Sequence, residues 1–142
     1  MTDDIKCLHR SLQKGYCCSS AIVSVGLYHK GSENPELIEA MKGLRKGLGS
    51  GLVCGALSGA ACMMSLLSWQ IAGAGGLLEL THWFNEMFGK KYGGINCHDI
   101  IKGGYMEKHV CYHIVEETYK QAKQILADYG YIFPEEGDPQ WS

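Results

Sequence analysis

The chain has 142 residues, with 13 Lys or Arg and 15 Asp or Glu, so its formal net charge is −2. A domain of this length buries roughly two thirds of its unfolded surface without disulfide staples. The balanced charge and the absence of a basic run argue against a nucleic-acid partner. The acidic start, residues 1–6, lacks the basic and apolar regions of a secretory signal, which predicts a cytoplasmic protein.

The first third of the chain carries three helical patterns, each with a start or stop signal. Thr2 or Asp3 can cap the first helix, and Gly15 ends it. Asn34 as a cap and Pro35 at the first helical position begin the third. These signals predict helices over residues 3–14, 16–28 and 35–46.

The rest of the chain also has helical spacing. Asn96 can cap a short helix, with Asp99 placed to bond back to it. The glycine pair at 103–104 ends this helix and forms the joint to the last helix. Gly130 terminates that last helix. The predicted helices cover residues 53–71, 77–91, 97–101 and 106–129.

No alternating apolar and polar run indicates a strand. The predicted fold is therefore all-α, a single-domain bundle of about five to six helices around a central apolar helix rich in Gly and Ala. The domain is expected to cover residues 1–130, and residues 131–142 are expected to form a C-terminal tail.

The stretch Gly47 to Leu78 carries no formal charge over 32 residues, more than the ~20 that a membrane span needs. Only eight residues of 52–71 are Leu, Val, Ile or Met, however. Glycines at 51, 55 and 59 form a groove for close helix contact, either inside one bundle or in a homodimer. The expectation is a buried helix and no membrane span.

Seven cysteines dominate the functional question. In a reducing compartment such residues are usually core fillers, metal ligands or redox groups. Four of them lie near predicted helix starts with apolar neighbours on the same face, so they should point inward and can converge: Cys18, Cys54, Cys97 and Cys111. Cys54 is placed in the first turn of the central helix, where backbone amides and the helix dipole are expected to lower its pKa.

The remaining candidates are secondary. Cys17 lies about 100° around the predicted second helix from Cys18, so the two side chains point in different directions. Cys62 lies two turns into the central helix, where packing is the simpler role, as it is for Cys7. His98 adjoins a candidate cysteine and could tune it, whereas His29 has the pattern of a surface or boundary residue.

The segment Val53-Cys-Gly-Ala-Leu-Ser-Gly-Ala60, with single cysteines before and after it, resembles the C-GCAxxG-C-C family, whose members are described as redox-active. The likeness covers roughly residues 10–127. The resemblance implies that seven residues form the family's motif: Cys18, Cys54, Gly55, Ala56, Gly59, Cys97 and Cys111. The chain departs from the usual pattern at Cys17. A related domain in split-Soret cytochromes implies electron transfer through a two-iron cluster.

Four hypotheses follow. In the first, the four cysteines hold a 2Fe-2S cluster that exchanges electrons with an unidentified redox partner, and Gly55 and Gly59 let the group come close. In the second, a cluster-free thiol/disulfide protein uses Cys54 or Cys18 as a thiolate of low pKa. The third is a structural zinc site, and the fourth has the cysteines as fillers. No acid/base pair is visible, so a redox carrier is expected rather than an enzyme.

Overall fold

The computed structural model describes residues 2–101 and 108–134. Within those ranges the regular structure is helical apart from one isolated antiparallel bridge between Val53 and Asn96. The prediction of an all-α single domain is confirmed. The helices are α1 (Asp3–Gln13), α2 (Cys18–Lys30), α3 (Pro35–Met41), α4 (Gly55–Ile71), α5 (Leu77–Phe84), α6 (Lys90–Tyr92), α7 (Cys97–Ile101) and α8 (Lys108–Asp128).

The third helix is shorter than predicted. Its start is as expected, because the Asn34 side chain accepts a hydrogen bond from the Leu37 amide at 3.1 Å and Pro35 follows the cap. It ends at Met41, however, and a single 3-10 turn leads to a left-handed backbone at Lys46. The α-helix stops early because the 3-10 turn at Lys42–Leu44 and the left-handed residue Lys46 redirect the chain into the glycine-rich segment that follows.

The bundle is organised around α4, which packs against both α2 and α8. A Cβ atom at Gly59 would lie 2.6 Å from Ser19 Cα, so α2 and α4 cross at backbone contact. The glycine groove predicted along α4 is filled at this point by α2 of the same chain. The largest fully buried side chains include Leu8, Ile22, Met63, Met64, Leu80, Phe84, Tyr119, Ile125 and Leu126.

The helical stretch Gly55–Tyr92 is the one part of the described chain that is long and apolar enough to cross a membrane, judged by length and composition alone. It bends at Ser68 (φ −158°, ψ 94°) and at Gly75 (φ 129°). The Ser68 hydroxyl accepts a hydrogen bond from the Ile71 amide at 3.2 Å, as a cap does where a helix restarts. The stretch is thus three helical segments in succession.

The last helix ends as predicted. Gly130 adopts φ +98°, and the Tyr131 amide donates to the Leu126 carbonyl at 2.9 Å. The first tail residues then turn back onto the bundle, where Phe133 and His29 meet edge to face with ring centroids 4.8 Å apart. The predicted joint at 103–104, the start of the last helix at 106 and the tail beyond 134 lie outside the described residues.

The prediction that His29 is a surface or boundary residue is wrong. It is buried, and its Nε2 lies 2.7 Å from the Tyr119 hydroxyl oxygen. That hydroxyl donates to Asp4, which also accepts from Lys123 at 2.7 Å. Burial would raise the pKa of Asp4, but hydrogen bonds from Lys123, Thr2 and Tyr119 outweigh it and hold that pKa well below its usual range. Burial, helped by Lys123, lowers the pKa of His29 to about 4.

Candidate functional site

A cavity of about 460 Å³ lies between the starts of α2, α4 and α7 and the first described turns of α8. Its wall is largely apolar, with Leu12, Ile100 and Val115 among its residues. Five of the seven cysteines border it: Cys17, Cys18, Cys54, Cys97 and Cys111. The structure therefore brings together the four primary candidates and Cys17, and it leaves Cys7 and Cys62 elsewhere.

Three of the four primary cysteines lie at the start of a helix, and Cys111 lies in the first described turn of α8. Cys18 and Cys97 are the first residues of α2 and α7, and Cys111 is the fourth described residue of α8. Cys54 is the cap of α4, one residue before the first turn in which it was predicted. The starts of α2, α4 and α7 place Cys18, Cys54 and Cys97 near backbone amides that have no partner inside their own helix and that favour negative charge.

Backbone hydrogen bonds hold the Cys54 and Cys97 segments side by side. The Cys97 amide donates to the Leu52 carbonyl at 2.5 Å, and the Cys54 amide donates to the Ile95 carbonyl at 3.1 Å. The predicted back-bond of the α7 cap is also present, since Asp99 Oδ2 accepts from the Asn96 amide at 3.1 Å. The relative position of these two cysteines is therefore set by main-chain contacts.

The two motif glycines have different surroundings. Gly55 borders the cavity, and a Cβ atom there would lie 3.4 Å from Cys18 Cβ and 3.6 Å from the Ser19 amide nitrogen. Its lack of a side chain keeps space open beside Cys18. Gly59 is not among the residues that border the cavity, and it allows α2 and α4 to pack closely instead.

The Cys18 and Cys111 thiols form a hydrogen-bonded pair. The bond from Cys18 lowers the pKa of Cys111 to about 7, against the effect of burial. The same bond, together with burial, raises the pKa of Cys18 well above its usual value. One sulfur of the pair is therefore readily ionised near neutral pH, and the other keeps its proton.

The prediction that Cys54 is an acidic thiol is wrong. Burial raises its pKa to about 11, although the Ala56 and Leu57 amides act in the opposite direction. The helix start does favour the thiolate, but desolvation of the charge is the larger effect. Cys18 is not an acidic thiol either, so the thiols of lowered pKa that border this cavity are Cys111 and Cys17.

The secondary candidates have separate environments. Cys17 Sγ lies 3.4 Å from the Ser19 hydroxyl and 3.1 Å from the Ser20 hydroxyl. Burial would raise the pKa of Cys17, but these two hydroxyls outweigh it and lower the pKa. Burial raises the pKa of Cys62, which lies away from the cavity. His98 is exposed and its Nδ1 lies 2.7 Å from the Gly51 carbonyl oxygen, so it contacts the loop before α4.

Two basic residues at the cavity were not predicted from the sequence. Arg45 and Lys46 border it and are both exposed. Burial raises the pKa of Cys97, and Lys46 acts against this rise. The only signal in the sequence is their position immediately before the glycine-rich segment, which does not by itself indicate contact with a cysteine at position 97.

The donors do not form a compact mononuclear site. Among the residues that the structure describes, no three His, Cys, Asp or Glu side chains stand close enough together to hold one metal ion. A tetrahedral zinc site needs four ligands around a single ion, whereas a two-iron cluster takes two thiolates on each iron. The described residues therefore do not bring three or more such ligands together around one ion, as a zinc site requires.

A family model described as "Putative redox-active protein (C_GCAxxG_C_C)" matches residues 16–125, more than three quarters of the chain. The matched range contains all five cavity cysteines. Neither the curated proteins nor the solved structures compared with the chain gave a match.

Proposed function

Because the chain belongs to the C_GCAxxG_C_C family of redox-active proteins, its general role lies in redox chemistry, and we propose that it carries electrons through a 2Fe-2S cluster. The proposed ligands are Cys18, Cys54, Cys97 and Cys111. The observation that carries the proposal is that these four sulfurs, on four separate helices, border one cavity.

The two most clearly protonated sulfurs of the proposed site would need a cationic group beside them to become thiolates. Burial raises the pKa of Cys54 and of Cys97, so neither thiol ionises readily by itself. A coordinating metal deprotonates a thiol outright, because its charge offsets the desolvation of the thiolate. Cysteine-ligated iron-sulfur clusters supply one-electron chemistry when bound.

The surrounding residues suit such a site. Apolar side chains such as Leu12, Ile100 and Val115 limit the access of water, which is one of the factors that set a cluster's potential. The helix starts and the Ala56 and Leu57 amides place partial positive charge near the sulfurs. These groups would stabilise the net negative charge of a cluster with four thiolates.

The proposal includes a cytoplasmic carrier that exchanges electrons with a separate redox partner and has no membrane span. The packing of α4 between α2 and α8 supports the last point, as do the bends at Ser68 and Gly75. Fractionation of cells that express the chain tests it. Recovery only with detergent-extracted membranes would contradict the proposed location.

Anaerobic purification tests the cluster. We expect visible absorbance, about two iron and two acid-labile sulfide per chain, and an electron paramagnetic resonance signal on reduction. Ser substitution at each of the four ligands should lower the iron content, whereas Cys7→Ser and Cys62→Ser are matched controls that should keep it. A colourless, iron-free protein after cluster reconstitution would overturn the proposal.

One observation favours a second candidate, a cluster-free dithiol. The Cys18–Cys111 contact allows the Cys111 thiolate to attack a partner's disulfide, which breaks that bond and forms a mixed disulfide. The partner thiolate released in this step takes the proton of Cys18, which then attacks the Cys111 sulfur. The partner leaves as a dithiol, and the protein ends oxidised by two electrons. Iron-free protein with a Cys18–Cys111 disulfide in peptide mapping would select this candidate.

A further inference from the structure

We propose that the segment Arg45–Val53, here called the cavity loop, is the docking face for a redox partner protein with an acidic surface. The inference rests on the proposed function and specifies the chemistry of the partner.

The backbone of the cavity loop is held in an unusual conformation. Lys46 and Leu48 adopt positive φ values of 53° and 63°, which non-glycine residues rarely take. The Gly49 amide donates to the Arg45 carbonyl at 2.8 Å, and the Leu52 amide donates to the Gly47 carbonyl at 3.0 Å. Conformations of this kind persist only where the surrounding structure enforces them, and they cluster at functional sites.

The loop presents apolar side chains to solvent. Leu48 is 55% exposed, Leu52 is 44% exposed and Val53 is 39% exposed. A single exposed apolar residue needs no explanation, but these three lie within six residues on one hydrogen-bonded loop. An apolar centre with a polar rim is the usual composition of a protein–protein interface.

The charge of the loop indicates the partner. Arg45 and Lys46 are exposed, and no acid among residues 2–101 and 108–134 forms an ion pair with either in the structure. The protein as a whole has a net charge of −2, so this basic site is a local departure from the overall charge. Complementary charge accelerates encounter and selects partners, so a negatively charged surface fits here.

The loop is attached directly to the sulfur site. The Leu52 carbonyl accepts from the Cys97 amide, and Val53 is bonded to Cys54. Arg45 and Lys46 themselves border the cavity. A partner seated on the loop would therefore lie next to the sulfurs, as electron exchange requires.

The test uses purified acidic flavodoxin as the probe, with basic cytochrome c as the probe of opposite charge. Calorimetry should show flavodoxin binding that weakens as salt is raised. We expect Arg45→Glu/Lys46→Glu to weaken it at least tenfold and the milder Arg45→Gln/Lys46→Gln to weaken it less. Leu48→Ser/Leu52→Ser should weaken it at least threefold, with the fold of every variant checked by circular dichroism.

Lys30→Glu is the matched control, since this exposed residue is 12 positions along α2 from Cys18, about 18 Å away. The docking proposal is overturned by no flavodoxin binding, by equal loss in the Lys30 variant, or by preference for cytochrome c. It is also overturned if Leu48→Ser dissolves a homodimer, or if the loop instead binds vesicles of phosphatidylcholine and phosphatidylglycerol.

Iron content, measured on the same samples, separates the two proposals. Charge-dependent flavodoxin binding by iron-free protein would overturn the cluster and leave the docking face standing. A protein that holds its cluster but binds flavodoxin equally well after both loop substitutions would overturn the docking face alone.

Discussion

The Cys18 and Cys111 thiols form a hydrogen-bonded pair although they belong to the second helix and the last helix of the chain. Because of this contact and of burial, the cysteine thiols that border the cavity differ in pKa. The pKa of Cys111 falls to about 7, whereas that of Cys54 rises to about 11. The metal-free protein should therefore have one sulfur in this pair that reacts readily at neutral pH.

Alkylation of iron-free, reduced protein tests that difference. At pH 7 we expect iodoacetamide to modify Cys111 much faster than Cys54, because the thiolate is the nucleophile. The Cys111 rate should rise with pH around an apparent pKa of about 7. Cys18→Ala removes the hydrogen-bond donor and should slow Cys111 at pH 7 by roughly tenfold, as its pKa returns toward about 8.5. Peptide mass spectrometry follows each site.

Cys62→Ala is the control for that experiment because Cys62 lies away from the cavity. It should leave the Cys111 rate unchanged. If Cys54 were the first residue modified at pH 7, the order of pKa values derived from burial and hydrogen bonding would be wrong.

Gly59→Ala should destabilise the bundle. The new Cβ atom would lie 2.6 Å from Ser19 Cα, so α2 and α4 would have to separate. We expect a loss of about 2 kcal/mol in the free energy of unfolding, measured by urea denaturation. Gly43→Ala is the matched control, since nothing lies within 4 Å of its Cβ position. Equal stability of the two variants would contradict the close crossing.

The buried His29 should make the protein sensitive to acid. Its pKa is about 4 in the folded protein and about 6.5 when unfolded, so the unfolded chain binds more protons between these values. Stability from this group is present above pH 6.5 and falls as the pH is lowered toward 4, by up to about 3 kcal/mol. Asp4, whose pKa is depressed, adds a further loss below about pH 4.

The measurement is the urea midpoint of the wild type and of His29→Gln across pH 4 to 7. The variant should show a flatter dependence on pH in this window. His113→Gln is the matched control, because it removes a histidine from an exposed position. Parallel curves for the wild type and His29→Gln would show that the histidine does not titrate as its burial predicts.

Asp99 should act as a positioning residue for Cys97. Its carboxylate accepts from the Asn96 amide at the start of α7. Asp99→Ala should cost about 1 kcal/mol of local stability and raise the alkylation rate of Cys97 about fivefold, because the short helix opens more often. Asp99→Asn keeps an oxygen acceptor and should restore the slower rate. An equal increase in the alkylation rate of Cys7 would instead indicate that the substitution lowers the stability of the whole domain.

Local signals predicted the start of α3 well but not its end. Asn34 and Pro35 act within one turn, so their effect can be recognised in the sequence. Where the helix ends depends on the left-handed return at Lys46 and Gly47, which brings the chain against residues near Leu52. His29 illustrates the same limit, because its burial depends on Tyr119 of α8 and Phe133 of the tail.

The amino-acid pattern was enough to predict the all-α class, the starts of α1, α3, α5 and α7 and four cysteines that border the cavity, because caps, glycines and apolar spacing act over a few residues. The packing of the helices was needed to show that Cys17 shares the cavity of the four primary cysteines and that Arg45 and Lys46 border it. It also decided the order of acidity, making Cys111 acidic and Cys54 not. A pKa depends on burial and on partners distant in the chain, and in Cys54 these outweigh the local effect of the helix start.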